Sequence, residues 1–374
     1  MNRYLLCCGD ATDSATWSGI PAALLAAGRA TGLLQGGLAL QPSALAGRRR
    51  RRWNLRQLLR HGRPGGFQYS PGFGRALLAQ QPLPAEPLAL LSHMPLLPPQ
   101  PWPAAWRVDF YLDATTRQVF DDYGVGRHLA PSYRRQVLAR EKQALQAAGA
   151  VVTMAPWAAA SVIRDCGVDP GRVWVVPGGA NLDETVLATQ PIGPPPAAPG
   201  PAEPLRLGFL GKDWQRKGGP FVLQLAEALA VRGLPTRVRA VGPDPAGLPR
   251  HPCLEPVGFL DRRRDEAAFV AELRSWHFGT LFSRAEAFGI GNRECLRLGV
   301  PVLAHGVGGI PATLPDGGCG MLFPPHPSPG EVADWIRARL TPYGAYLGWR
   351  QALADRGGEF TWAVAAARLQ ELLG

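Results

Sequence analysis

Two doubly wound α/β domains are the architecture this chain predicts, and three observations carry that prediction. Short apolar runs alternate with stretches of helical spacing. A proline-rich segment divides the alternation in two. A chain of 374 residues with 46% hydrophobic composition is also long enough for two cores. Before the prolines, strands are expected at 4–8, 108–112, 150–154 and 173–176, and a parallel sheet fits them. Between Glu184 and Leu205 the chain holds Pro191, Pro194, Pro195, Pro196, Pro199, Pro201 and Pro204, which permit neither a regular helix nor a central strand, so a stiff linker follows. Beyond it, strands at 206–210, 237–241, 279–282, 302–304 and 320–323 interleave with helices in the rhythm of a doubly wound domain. The final stretch, 360–373, has helical apolar spacing with Thr361 as N-cap. The expected division is 1–184 for the first domain, 185–204 for the linker, 205–357 for the second domain and 358–374 for a terminal helix.

Two segments of the second domain concentrate chemistry. In Gly211-Lys212-Asp-Trp-Gln-Arg216-Lys217-Gly218-Gly219, glycines permit close backbone approach where a strand ends, and two lysines bring compact positive charge. A diphosphate suits that edge, because ligands of open α/β sheets bind at the carboxyl ends of the strands. In the second segment a strand at 278–283 is followed by a turn that holds Glu286, Phe288 and Ile290 and is loosened by Gly289 and Gly291, and then by a helix that carries Glu294 and that Gly299-Val-Pro301 stops. A helix N-terminus favours a phosphate, and each carboxylate can accept hydrogen bonds from a pair of sugar hydroxyls. An ordinary strand-turn-helix unit with solvated glutamates explains this segment alone; the lysine segment shifts the balance.

Taken together, Gly-Lys212-x4-Lys217-Gly-Gly, Glu286-x7-Glu294 and Pro301-Val-Leu-Ala-x-x-Val-Gly308-Gly309-Ile-Pro311 resemble the retaining nucleotide-sugar glycosyltransferases of the GT-B fold, family four of the glycosyltransferases, also called group 1. The resemblance is strong from about Leu205 onward and looser upstream, at Trp17-Ser-Gly19-Ile-Pro21, 151–157 and 175–181. It implies two Rossmann-like doubly wound domains facing a central cleft, with the terminal helix crossing back to the first domain. It also implies transfer of a hexose from a nucleotide-diphosphate sugar to a glycan or lipid-linked acceptor, with retention and without a divalent metal or other cofactor. In that scheme Lys212 and Lys217 neutralise the leaving diphosphate, and the backbone at Phe288, Gly289 and Ile290 adds donors. Glu286 binds the donor sugar, Glu294 the ribose diol, and Gly308 and Gly309 help line the donor site. Gly19 gives the first domain's loop room near the diphosphate, although a plain helix-start turn capped by Ser18 explains the same residues. Arg216 and Arg293 are further phosphate contacts or solvated helix-end charges.

One departure from the family pattern concerns the first domain, where many relatives place a His after a strand. Asp113 stands at the comparable strand end here, either as a polar contact to donor or acceptor or as a helix N-cap. His93, in Leu91-Ser-His93-Met-Pro95, is the other first-domain candidate, with a plain core or surface imidazole as its alternative. Asp121-Asp122 reads as an exposed helix-flanking pair rather than a metal ligand set.

The net charge of +11 is partly local: five arginines run from Arg48 to Arg52 and are followed by Trp53, Leu55, Arg56, Leu58, Leu59, Arg60 and Arg63. If Trp53, Leu55, Leu58 and Leu59 share one helix face, the segment suits an anionic membrane surface; a solvated basic loop remains the alternative. Nucleic acid is not expected, since no aromatic residues interleave the run and no nucleic-acid-binding motif is visible. Six scattered cysteines without a Cys-x-x-Cys pair point to buried free thiols. The first apolar run is too short for a signal peptide, and no stretch is long enough to span a bilayer. A cytoplasmic protein, peripheral on the inner face of the plasma membrane if the basic run docks there, is the expectation. Two other functions stay open: a sugar-nucleotide epimerase or hydrolase on the same scaffold, and a catalytically degenerate membrane-associated assembly module.

Overall fold

The computed structural model describes residues 2–45, 47–189 and 195–374. The chain divides into two units, Met1–Pro177 together with Ala365–Gly374, and Gly178–Val364. In the first unit the strands are β1 Arg3–Leu6, β2 Gly36–Gly37, β3 Leu88–Ser92, β4 Trp106–Leu112, β5 Val151–Thr153 and β6 Val173–Val175. They form one parallel sheet in the order β2-β1-β3-β4-β5-β6. Its helices are α1 Ile20–Thr31, α2 Arg48–His61, α3 Pro71–Leu78, α4 Thr116–Asp121, α5 Pro131–Ala147 and α6 Pro156–Arg164. Val108, Phe110 and Leu112 of β4 are buried against Ala144 and Leu145 of α5 and Val162 of α6. Between them on the other face, Asp109 is fully buried and paired with Arg3 at 3.3 Å and Arg107 at 3.1 Å. Arg3 also donates to the Leu373 carbonyl at 2.6 Å, so a buried ion pair and the C-terminal residues share one guanidinium. Removing one member of such a pair strands a buried charge.

The second unit carries β7 Leu205–Leu210, β8 Thr236–Val241, β9 Leu254–Gly258, β10 Phe278–Leu281, β11 Val302–His305 and β12 Gly320–Phe323, all parallel, in the order β12-β11-β10-β7-β8-β9. Its helices are α7 Glu184–Thr189, α8 Gly219–Val231, α9 Glu266–Arg274, α10 Ile290–Arg297, α11 Pro329–Arg339 and α12 Tyr343–Asp355, and α13 Trp362–Leu373 closes the chain. This is the Rossmann strand order, with its direction reversing between β7 and β10, so the loops after those two strands flank the switch point where α/β sheets bind ligands.

Each strand expected from the sequence is present. Those not foreseen are β2, a mere Gly-Gly pair, β3, whose apolar run is hidden among Pro82, Pro84, Pro87 and Pro95, and β9, which includes Pro256 and ends at Gly258. The division between units falls at Pro177, ahead of the expected 184. The cause is local: Ala180 N–H donates to Phe360 O at 2.7 Å and Asn181 accepts from the Trp362 indole at 2.7 Å, both within the second unit. For the same reason that unit continues past 357 to Val364. Of the expected linker 185–204, residues 185–189 are helical and 190–194 lie outside the described residues. Thr361 sits ahead of the last helix as expected, its hydroxyl accepting from Val364 N–H at 3.4 Å.

The basic run forms α2, with one correction. Trp53 does not share a face with the leucines: its indole donates to Gly65 O at 2.8 Å and its ring packs on Phe67 and Tyr133. Trp53 and Gln57, four apart, form the inward stripe, whereas Leu55, Leu58 and Leu59 point to solvent, Leu59 at 78% exposure. All six cysteines are free thiols, Cys7, Cys166, Cys295 and Cys319 buried. No helix among the described residues is long and apolar enough to cross a membrane.

Candidate functional site

The loop after β7 and the loop after β10 meet at a single carboxylate. Glu286 Oε2 accepts from Arg216 Nη1 at 3.2 Å and from Ser283 Oγ at 3.3 Å, with Lys217 Nζ 3.3 Å away. The Glu286 side chain is only 12% exposed. Burial pushes its pKa up, but Lys217 and then Arg216 outweigh burial and hold the carboxyl below the usual range, so it is ionised at neutral pH. Arg216 also donates to Ala285 O at 2.7 Å, fixing the strand-end loop. The pair Gly308 and Gly309 after β11 completes this arrangement from beneath. Gly309 N–H donates to Glu286 O at 2.9 Å, and a Cβ on Gly309 would fall onto the Ala287 carbonyl, one on Gly308 onto that of Glu286. These glycines therefore set the backbone that presents Glu286.

Eight residues on, Glu294 lies within α10, whose N-cap is Gly289 in the left-handed conformation. The helix begins at Ile290, so Gly291 belongs to its first turn and not to the preceding loop. Glu294 is 4% exposed, and its Oε1 accepts from Arg262 Nη1 at 2.8 Å. Burial raises its pKa to about 7; Arg262 opposes the rise and Glu266 adds to it. Phe288 is buried with the Arg293 guanidinium 6.0 Å from its ring. Arg293 is no solvated charge at the site: it is buried, donates to Gly178 O at 3.0 Å and lies over Phe360. Lys212, in contrast, is exposed at the end of β7, 5.2 Å over the exposed Phe259 ring, and makes no ion pair among the described residues.

Gly19 and Asp113 belong to the other unit. Trp17, Ser18 and Gly19 all have positive φ, at 49°, 59° and 87°. Two of the three carry side chains, each costing about 1–2 kcal/mol in that region. The N-cap of α1 is Gly19, without a side-chain cap from Ser18. The Trp17 indole donates to Cys8 O at 2.8 Å and meets His93 edge-on at 6.0 Å. His93 follows β3; its Nδ1 is 2.9 Å from Tyr111 O, and its buried Nε2 has no partner among the described residues. Asp113 follows β4 and is not the helix cap, because Thr115 caps α4 in a capping box with Gln118. Its half-buried carboxylate makes no hydrogen bond or ion pair among the described residues. Asp121 pairs with Arg134 at 2.9 Å. No cluster of three or more His, Cys, Asp or Glu able to hold a metal occurs among the described residues.

The sequence reading missed Arg262 and Glu266. Arg262 sits in Asp261-Arg-Arg-Arg264, which reads as a solvated run, and no spacing rule connects it with a glutamate 32 residues on.

Two six-stranded parallel sheets with this topology define the GT-B fold, and solved structures agree. Sucrose-phosphate synthase from Thermosynechococcus elongatus matches with TM-score 0.66 at 17% identity, covering 100% of this chain and 98% of that one. HepE from Anabaena, in complex with UDP and glucose, matches with TM-score 0.61 at 14% identity, covering 100% and 99%. Residues 204–341 match the family model of the glycosyl transferases group 1, and this part of the chain belongs to that family. The D-inositol 3-phosphate glycosyltransferase of Nocardia farcinica is 30% identical over 287 residues, 71% of this chain and 61% of that protein. A D-inositol 3-phosphate glycosyltransferase of Catenulispora acidiphila is 27% identical over 249 residues, 62% and 57%. The chain thus spans about three fifths of the length of the curated relatives it matches.

Proposed function

We propose that the protein is a retaining glycosyltransferase that moves a hexose from a nucleotide-diphosphate sugar to a glycan or lipid-linked acceptor. The observation that carries this reading is the convergence of Lys217 and Arg216 on the largely covered, ionised Glu286 at the β7/β10 switch point. A carboxylate held ionised there accepts hydrogen bonds from sugar hydroxyls, and the cation beside it serves the diphosphate as the glycosidic bond breaks. Lys212, exposed and without an ion pair among the described residues, is the second cation for the diphosphate. Phe288, Gly289 and Ile290 bring the start of α10 to the donor, and Glu294 takes the ribose diol. The group 1 family match and the UDP and glucose bound by HepE support a nucleotide-sugar donor. Transfer proceeds without a metal or other cofactor, the lysines supplying the charge that a divalent cation would otherwise supply. Retention follows from departure and attack on one face of the sugar, with Glu286 engaged as a hydrogen-bond acceptor.

In the first unit, Asp113 contacts donor or acceptor in place of a His, and Gly19 gives its loop room near the diphosphate. In this reading the outward leucines and arginines of α2 rest on anionic lipid, and the enzyme is cytoplasmic, on the inner face of the plasma membrane. The test is a panel of nucleotide sugars offered with acceptors either free or anchored in anionic liposomes, with nucleoside diphosphate release and co-sedimentation measured together. Acceptor-stimulated release is expected, with co-sedimentation that salt abolishes. Release independent of acceptor would make the protein a hydrolase or epimerase. No release would leave an assembly module.

A further inference from the structure

Arg262 joins two carboxylates with one side chain. Its Nε and Nη2 donate to the two oxygens of Glu266, both at 2.8 Å, and its Nη1 donates to Glu294 Oε1 at 2.8 Å. The planar guanidinium lies 4.6 Å over the Phe269 ring, and Glu266 is itself anchored by Asp183 N–H at 3.1 Å. The fork-to-carboxylate contact fixes the guanidinium in plane, so its other N–H groups have little freedom in direction. One of them, on Nη1, is spent on the carboxylate assigned above to the ribose diol.

We propose that Arg262 is a positioning residue for nucleotide recognition: tethered to Glu266, it fixes Glu294 as an acceptor whose other oxygen reads the ribose hydroxyls. The inference rests on the donor-site reading and adds a residue to it.

The charged groups facing Glu294 make the direction of the effect clear. Burial is the largest influence and disfavours ionisation. Arg262 and, more weakly, Lys217 favour it, Glu266 opposes it, and the Cys295 thiol on the same helix is pushed far up by its own burial and is neutral. Without Arg262 the Glu294 carboxyl faces Glu266 and the protein interior with Lys217 alone in its favour. It then protonates at a higher pH and loses its fixed orientation.

The experiment is calorimetric titration of uridine, guanosine and adenosine diphosphates and their 2′-deoxy forms into the intact protein and into Arg262→Gln and Arg262→Lys, from pH 6 to pH 9. A charge-assisted hydrogen bond to one hydroxyl makes the unaltered protein prefer its ribonucleotide over the deoxy form by roughly tenfold or more at pH 7.5. Arg262→Gln is expected to narrow the preference to about two- to threefold at that pH, and to recover part of it toward pH 9 as Glu294 ionises. Arg262→Lys keeps the charge but loses the fork, so it should lie between the two; if the Gln variant fails to fold, this variant decides. A full ribose preference with an unchanged pH midpoint in both variants overturns the role of Arg262 while leaving the donor site intact. An unaltered protein that binds ribo and deoxy forms equally overturns the role of Glu294 and this inference with it. Binding of no nucleoside diphosphate overturns the functional reading as well.

Discussion

The strand ends of the two sheets differ in how their polar groups are satisfied. At the end of β7 and β10, Glu286 is held by Arg216, Lys217 and Ser283, and Glu294 by Arg262. At the end of β3 and β4, His93 keeps a buried ring nitrogen without a partner, and Asp113 a carboxylate with none, among the described residues. A buried polar atom left unpaired costs about 1–3 kcal/mol, and the backbone at Trp17 and Ser18 adds strain in the same unit. The second unit holds its two carboxylates with cations, although His305 at the end of β11 also keeps a buried Nδ1 without a partner among the described residues. On the function proposed above, the cations serve a donor of constant charge and the open groups of the first unit an acceptor that varies. That contrast agrees with the family match, which covers 204–341 and none of the first unit.

The sharpest way to break the comparison is Lys217→Ala. Loss of one preorganised electrostatic contact costs about 10²-fold or more in rate, and a drop of that order in nucleoside diphosphate release is expected. Arg216 still holds Glu286 in the variant, so the melting temperature should change little. Near wild-type turnover would show that the paired site is a structural ion cluster.

Asp113→Asn tests the open side. The expected result is transfer slowed by about tenfold, within the range of one general acid–base or polar contact, with nucleoside diphosphate affinity unchanged in calorimetry. Equal losses of affinity and rate would move Asp113 from the reacting groups to nucleotide binding. No loss would mean that its unpaired carboxylate is simply solvated.

How much of this was legible in the sequence follows from the range of the interactions. Strands after the prolines, the lysine loop and the Glu286-x7-Glu294 spacing are local features, and each lay where apolar period and glycine placement put it. Arg262 was not legible as a site residue, because its contact with Glu294 is set by the return of the chain from β9 toward α10 and not by spacing; only its pairing with Glu266, four residues on, is local. Neither was the orientation of Trp53, which depends on Phe67 and Tyr133 closing over it. The β3 strand was hidden by the prolines around it, and with β3 went the means of placing His93 at a strand end. Gly308 and Gly309 were legible as a motif, but their packing against the Glu286 carbonyl and that of its neighbour needs the three-dimensional approach of β11's loop to β10's.

The smallest effect expected concerns the buried glutamate of the first unit, which sharpens the comparison from within. Glu141 of α5 is as buried as Glu294, and burial likewise raises its pKa to about 7 from an ordinary 4.5. Its surroundings are different: Oε1 accepts from Thr116 N–H at 2.5 Å, at the start of the helix that follows Asp113, while Oε2 has no partner among the described residues. Because its pKa is raised on folding, the stability it contributes is present below about 4.5 and is lost as pH rises through about 7. Glu141→Gln keeps the acceptor for Thr116 and removes the ionisation. The variant should therefore match the unaltered protein near pH 5 and melt a few degrees higher near pH 8.5, since each tenfold change in proton affinity between the unfolded and folded chain is worth about 1.4 kcal/mol. Thermal melts at the two values measure the difference directly, and turnover should follow wild type if the Thr116 contact alone sets the Asp113 loop. A variant less stable at both values would show that Oε2 is satisfied as a carboxylate. Glu141 would then be held as a charge, as Glu286 is in the second unit.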